Sequence, residues 1–293
     1  MNLPEALLPV LLRAVRANRP YVSAAGALDE IRAQQLRPAS FGPPKRLRRD
    51  VAVTVRREGG TPVYTVTPVA SRPSGHVVYA HGGSWVHDIV RQHWALVAQI
   101  AAEASTTVTV PVYDLLPHGD AARANALVVD LVEAVTEHDE VRLAGDSAGG
   151  QIALSAALSL RDRGHTGVRT VLISPALDLG LTNPRIPAVQ PDDPWLGVEG
   201  GRVLGRAWAG HLPLSDPVVS PLLGDLRGLG PMLLLTGTHD ILNPDAHLLV
   251  AKARAAGVEV ILVERPGALH VFPLLPVRAA AAARARIVEA LRA

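Results

Sequence analysis

The chain of 293 residues has no cysteine. That excludes a thiol nucleophile, disulfide bridges and thiolate metal sites. Lysine is almost missing as well. It occurs only at Lys45 and Lys252, so arginine carries nearly all of the positive charge. With 29 basic and 27 acidic residues the formal net charge is +2, and no nucleic-acid footprint emerges from that balance. The one short basic run, Lys45, Arg46, Arg48 and Arg49, reads as a solvated surface. No apolar run is long enough for a membrane span, so no stable membrane insertion is expected. The opening "MNLPEALLPVLLRAVRANRP" lacks the basic stretch and cleavage site of an export signal, and cytoplasmic residence is the expectation. Aromatic residues make up only 3%, which makes the few tryptophans, Trp85, Trp94, Trp195 and Trp208, candidates for either core or pocket walls.

Apolar residues are plentiful, at 48% against 19% charged. That composition predicts a large buried core in one α/β domain rather than a disordered chain. Leu3, Leu7, Val10, Leu11, Ala14 and Val15 recur at helical spacing and predict an amphipathic helix, docked on the protein or on a membrane surface. A proline-rich, basic loop, "RPASFGPPKRLRRD", follows from residue 37. Runs at 51–57 and 63–69 flank Gly59-Gly60, a hairpin signal. Short apolar runs, most of them rich in β-branched residues, then recur at 77–80, 108–113, 141–144, 168–173, 232–235 and 258–263. The clearest helical stretches between or after them are 121–135, 151–162, 244–256 and 277–291. A hairpin followed by strand–helix alternation predicts a mostly parallel, eight-stranded sheet with helices on both faces. Between Leu179 and Pro221 the alternation breaks into a proline- and tryptophan-rich insertion with no evident strand. An interval that long suggests a lid. The expected organisation is an N-terminal helical cap segment over 1–45, a catalytic domain over 46–293, and a cap insertion at about 180–215.

The stretch "VRLAGDSAGGQIALSAAL" places Ser147 at a junction between a strand and a helix, with Gly145 and Gly149 on either side. G-x-S-x-G in that context is a nucleophile elbow, although a plain tight turn would also use these residues. A serine hydroxyl needs a base to take its proton and a third group to orient that base. "MLLLTGTHDILNPDAHLL" delivers Asp240 just past a strand, with Asp245 as an alternative acid or a first-turn helix carboxylate. "VEVILVERPGALHVFPLL" delivers His270 in the same way, and His239, His118, His211, His87 and His93 are its rivals. Serine, acid and base in that chain order, all at strand ends, form the combination that catalysis by an elbow requires. "VVYAHGGSWVHD" adds a strand followed by Gly82-Gly83, where backbone N–H groups can approach a carbonyl unobstructed. Ala148 N–H, directly after the serine, is the natural partner donor, and His81 reads as a structural residue that holds the loop.

These segments together resemble the hormone-sensitive-lipase-like (bacterial family IV) serine esterases of the α/β-hydrolase fold. The resemblance rests on "HGGSW" (81–85), "GDSAGG" (145–150), "SPALDL" (174–179), "GTHDIL" (237–242) and "LHVF" (269–272), with "YDLLPHGDAA" (113–122) a looser match. It implies Ser147 as nucleophile, His270 as base, Asp240 as orienting acid, and an oxyanion hole from Gly82, Gly83 or Ser84 with Ala148. Trp85, Asp146 and His87 are the expected substrate contacts. Two departures stand out: Ser84 replaces the usual third glycine, and Asp114 and His118 replace the usual arginine and glutamate. The implied activity is a carboxylesterase acting on short- to medium-chain acyl esters through an acyl-enzyme, with a small-molecule ester as partner and no metal or organic cofactor. The resemblance also leaves a homodimer open. Two alternatives remain: an arylformamidase-like amide hydrolase, which shares the histidine-glycine-glycine motif, and a non-catalytic ligand-binding relative, which would lack the base that His270 supplies.

Overall fold

The sheet begins at the expected hairpin. β1 (Val51–Glu58) and β2 (Thr61–Pro68) pair antiparallel across Gly59-Gly60, both at positive φ, the conformation tight hairpin turns demand. The chain, seen here in a computed structural model that describes residues 3–36, 39–136 and 140–292, then alternates strand and helix. The order is β3 (His76–Ala80), α3 (Arg91–Ala104), β4 (Thr107–Pro111), α4 (Ala121–Thr136), β5 (Val141–Asp146), α5 (Ala148–Asp162) and β6 (Arg169–Ile173). Ahead of the sheet lie α1 (Leu8–Ala14) and α2 (Ala24–Leu36); after β6 come α6 (Ile186–Val189), α7 (Val198–Ala209), β7 (Met232–His239), α8 (Asn243–Ala255), β8 (Val260–Leu269) and α9 (Ala280–Leu291). Residues 37 and 38, which open the proline-rich loop, lie outside the described residues, as do residues 1 and 2.

The eight strands form one sheet in the order β1-β2-β4-β3-β5-β6-β7-β8. Every pairing from β4 to β8 is parallel. Strand side chains alternate between faces, and both faces are covered. Val78, Ala80 and Leu143 join the side chains of α4, α5, α7 and α8 in one core cluster. Val77, Tyr79 and Ala144 join those of α3 and α9 in the other. Burial on both sides explains why the central strands read as unbroken apolar runs.

Three elements differ from expectation. α1 begins at Leu8, after a 3₁₀ turn over Glu5–Leu7. The side it buries carries Leu8, with Leu3 and Leu12 partly buried against Leu269, Val277 and Ala280. Of the stripe the periodicity singles out, Leu3 packs on the body, whereas Leu7, Val10, Leu11, Ala14 and Val15 are exposed. β8 runs on to Leu269 through Pro266-Gly267, because β7 stays paired with it across a register shift between Gly237 and His239. The insertion holds α7 despite three glycines in that helix. α7 packs against α2, and Gly200 and Gly205 each meet another segment at a distance no larger residue allows. No helix among the described residues is long and apolar enough to cross a membrane.

Candidate active site

At the end of β5 the chain turns through Ser147 at φ 52° and ψ −118°, a conformation that costs an L-residue strain and is typical of an elbow. Its flanking glycines are a steric requirement. A Cβ on Gly145 would stand 2.3 Å from Gly149 O, and one on Gly149 would stand 2.1 Å from Ala80 O. Backbone bonds pin the turn to the neighbouring strand's end: Ser147 N–H donates to Ile173 O at 2.8 Å, and Ala176 N–H donates to Ser147 O at 3.1 Å.

β7 and β8 bring in the other two groups. His239 and Leu269 are register partners, so the next residues, Asp240 and His270, leave the sheet side by side. His270 Nδ1 lies 2.9 Å from Asp240 Oδ2, and its Nε2 lies 2.9 Å from Ser147 Oγ. The carboxylate requires Nδ1 to carry the proton, which leaves Nε2 free to accept from the serine. All three groups are buried. Burial pulls the imidazole's pKa down, but the charge and hydrogen bond of Asp240 outweigh it and hold His270 above its ordinary value. Val271 N–H donates to Ser174 Oγ at 3.1 Å, which ties the histidine loop to the end of β6. Asp245 sits instead in the first turn of α8, bonded by Asn183 Nδ2 at 2.8 Å. Of the rival histidines, His87 pairs with Glu30 and His93 with Asp146.

The glycine loop corrects one expectation. Gly82 N–H is occupied: it donates to Asp146 Oδ1 at 3.0 Å. Asp146 also accepts from Tyr79 O–H at 2.6 Å and contacts His93 Nε2 at 3.2 Å. Its carboxylate is therefore engaged in holding the loop from behind. Burial acts to raise its pKa, but His93 and these hydrogen bonds keep it low. No partner among the described residues takes the N–H of Gly83, Ser84 or Ala148. Those three are free to donate to an oxyanion formed beside Ser147. His81 stacks on Tyr113 (ring centroids 4.5 Å apart), and its Nδ1–H donates to Gly82 O at 2.7 Å. Burial, with the charge of His93, pushes its pKa down to about 4, so the ring is neutral.

Trp85 lies in the wall of the pocket beside Ser147. It stacks on Trp208, and the indole N–H of each donates to Gln151 Oε1, at 3.1 and 3.0 Å. His87 stands further out, on a second cavity that also reaches Ser147. Trp94 belongs to the core, edge-on to Tyr64.

Asp193 was not among the residues singled out above. This buried carboxylate of the insertion accepts from Trp195 and Leu196 N–H through Oδ1 (2.8 and 2.9 Å) and from Ile241 N–H through Oδ2 (3.0 Å). It thereby ties the insertion to the Asp240 loop. Burial, then the nearby Asp240 charge, pushes its pKa up to about 6. Trp195, two residues on, places its ring edge-on to His270 at 5.8 Å. Only the "DPW" context marks the position, and aspartate before proline is ordinary loop chemistry. Among the described residues no group of three or more His, Asp or Glu is placed to hold a metal ion.

The sequence profile of the α/β hydrolase fold matches residues 77–274, which include every site residue named above. The chain belongs to the α/β-hydrolase fold family. As an α/β hydrolase it is 32% identical over 222 residues, 74% of its length, to a triacylglycerol lipase of Mycobacterium tuberculosis, and spans 46% of that protein. It is 30% identical over 212 residues, 68% of its length, to an acetyl-hydrolase of Streptomyces hygroscopicus, of which it spans 70%. Among solved structures, an esterase of the bacterial hormone-sensitive lipase family superposes with a TM-score of 0.83. That match covers 100% of this hydrolase and 98% of the esterase at 26% identity. The likeness to hormone-sensitive-lipase-like esterases drawn from the motifs therefore extends to the whole described fold.

Proposed function

We propose that this hydrolase is a carboxylesterase that cleaves short- to medium-chain acyl esters through an acyl-enzyme on Ser147. The observation that carries the reading is the unbroken line Asp240–His270–Ser147, with 2.9 Å at each step, beside three unpartnered backbone N–H groups. Ser147 Oγ attacks the ester carbonyl as its proton passes to His270 Nε2. The carbonyl oxygen, now an anion, is held by the N–H groups of Gly83, Ser84 and Ala148. His270 then gives its proton to the departing alkoxide, leaving the acyl group esterified to Ser147. Water, deprotonated by the same imidazole, attacks that ester, and the serine takes the proton back as the acid leaves. Asp240 keeps the imidazole in the tautomer that accepts from Ser147 and stabilises its positive charge in between.

The relatives support this reading, since those named above are a lipase, an acetyl-hydrolase and an esterase. Tyr21, just ahead of α2, and Leu196, Gly197 and Gly201 of the insertion line the cavity beside the serine, and we take these two segments as its cap. The cavity beside Ser147 is lined mostly by apolar side chains, Trp85, Leu179, Leu181 and Leu242 among them, which suits an acyl chain. A series of p-nitrophenyl esters of increasing acyl length tests the proposal. Wild type should favour the short acids, and Ser147→Ala should lose roughly 10⁴-fold or more in kcat. Activity retained in Ser147→Ala would overturn it.

A further inference from the structure

Two cavities meet at Ser147. The inner one, about 40 Å³, is lined by Trp85, Ala148, Leu179, Leu181 and Leu242. The outer one, about 230 Å³, is lined by Ala17, Gly83, His87, Trp195 and His270. Besides the serine, only Tyr21, Ser84 and Leu196 line both. Tyr21 and Ser84 touch: the phenol oxygen lies 2.7 Å from Ser84 Oγ, joining the N-terminal helices to the glycine loop.

This contact is built on both sides. Tyr21 O accepts from Gly200 N–H at 2.9 Å. A Cβ on Gly200 would fall 2.1 Å from Pro20 O, and one on Gly197 would fall 2.7 Å from Tyr21 O. Gly200 lies in α7, where glycine costs about 1 kcal/mol relative to alanine, so the close approach of Tyr21 accounts for a residue the helix would otherwise disfavour. Glu199 Oε1 accepts from Ala24 N–H at 3.1 Å, which fixes the start of α2 to the same helix. On the other side Ser84 occupies φ 53°, a conformation in which glycine is free and serine is strained. The hydroxyl that sits there in place of a hydrogen is the one that meets Tyr21. Burial pushes the phenol pKa up to about 12, so it remains a donor across the working range.

The chemistry assigns a role to each chamber. His270 must hand its proton to the leaving alcohol, and His270 lines the outer cavity but not the inner one. The alcohol therefore departs through the outer chamber, and the acyl chain occupies the inner one. We propose that the Tyr21–Ser84 pair is a specificity-determining partition between these chambers, confining the acyl chain to the inner cavity and setting the longest acid the enzyme accepts. The proposal rests on the assignment of Ser147 as nucleophile, and its substrate class is short-chain acids esterified to larger alcohols.

The test compares wild type with Ser84→Gly, Tyr21→Phe and Tyr21→Ala in two substrate series. One varies acyl length with p-nitrophenol as the fixed leaving group. The other varies the alcohol with acetate as the fixed acid. Ser84→Gly and Tyr21→Ala should raise the octanoate-to-butyrate ratio of kcat/KM at least tenfold. Tyr21→Phe, which keeps the ring and loses the hydroxyl, should raise it by less. The long-to-short ratio in the alcohol series should change less than threefold. An unchanged acyl ratio in Ser84→Gly, or an equal shift in both series, would overturn the partition. Ser84→Gly replaces a strained residue with one at ease at φ 53°, so it decides the matter even if Tyr21→Ala fails to fold. Failure of the underlying reading looks different: wild type itself would hydrolyse no ester, or would do so without Ser147.

Discussion

In the proposed mechanism His270 acts as a base only when neutral, and its pKa is held above the ordinary 6.5 because Asp240 outweighs the effect of burial. The acid limb of kcat/KM should therefore have its midpoint above 6.5. Asp240→Asn should lower kcat by roughly 10³–10⁴-fold by freeing the wrong tautomer, and should move the residual limb to lower pH. Asp193 offers a finer test. Its charge also raises the His270 pKa, so Asp193→Asn should shift the limb toward acid. A purely structural loss would lower the rate at every pH without moving the midpoint. At this scale the convergence of Ser147, Asp240 and His270 is legible because the chemistry of an elbow demands a fixed order at strand ends. Asp193 was not, because its importance comes from a contact with Ile241, 48 residues away. Gly82 was misassigned for a related reason. Nothing in "HGG" reveals that the Asp146 carboxylate sits behind the loop and takes that N–H.

Among the elements, the elbow is the one most tightly fixed by sterics. Gly149→Ala would put a methyl carbon 2.1 Å from Ala80 O, a backbone atom. The expected result is a loss of at least ~1–3 kcal/mol in stability, read by denaturant unfolding, together with loss of activity as Ser147 is displaced. The strands were legible because runs buried on both faces are continuous and β-branched. α7 was hidden, since the close approach of Pro20–Tyr21 and Leu179 requires glycines that lower helix propensity. α1 was found, but its docked side was not. Leu residues occupy both sides of that helix, and periodicity alone does not say which stripe meets the protein. The extra length of β8 comes from pairing with β7, which overrides the turn signal of Pro266-Gly267.

For the whole molecule, the parallel order of the sheet and its two covered faces followed from strand–helix alternation. How the insertion meets the body did not, because the joining contacts, such as the Trp85–Trp208 stack and the Asn183–Asp245 pair, link residues far apart in the chain. Asp245 has a consequence for stability. Burial raises its pKa from 3.8 to about 6, and its Oδ2 has no hydrogen-bond partner. The folded state thus holds this proton more tightly than the unfolded state does. The stability it lends is present below about pH 4, is lost as pH rises to about 6, and stays lost above. A shift of that size corresponds to roughly 2–3 kcal/mol. Asp245→Asn keeps the acceptor for Asn183, so it should raise Tm at pH 8 and leave it nearly unchanged at pH 4, as measured by calorimetry.

The central claim is that one hydroxyl, at Ser147, carries the covalent step. Titration with a chromogenic alkyl phosphonate ester, followed by peptide mass spectrometry, measures it most directly. The account expects one leaving group released per chain, complete loss of esterase activity, and the phosphonyl group on Ser147. Label on a different residue, or full hydrolysis with Ser147 unlabelled, would contradict it.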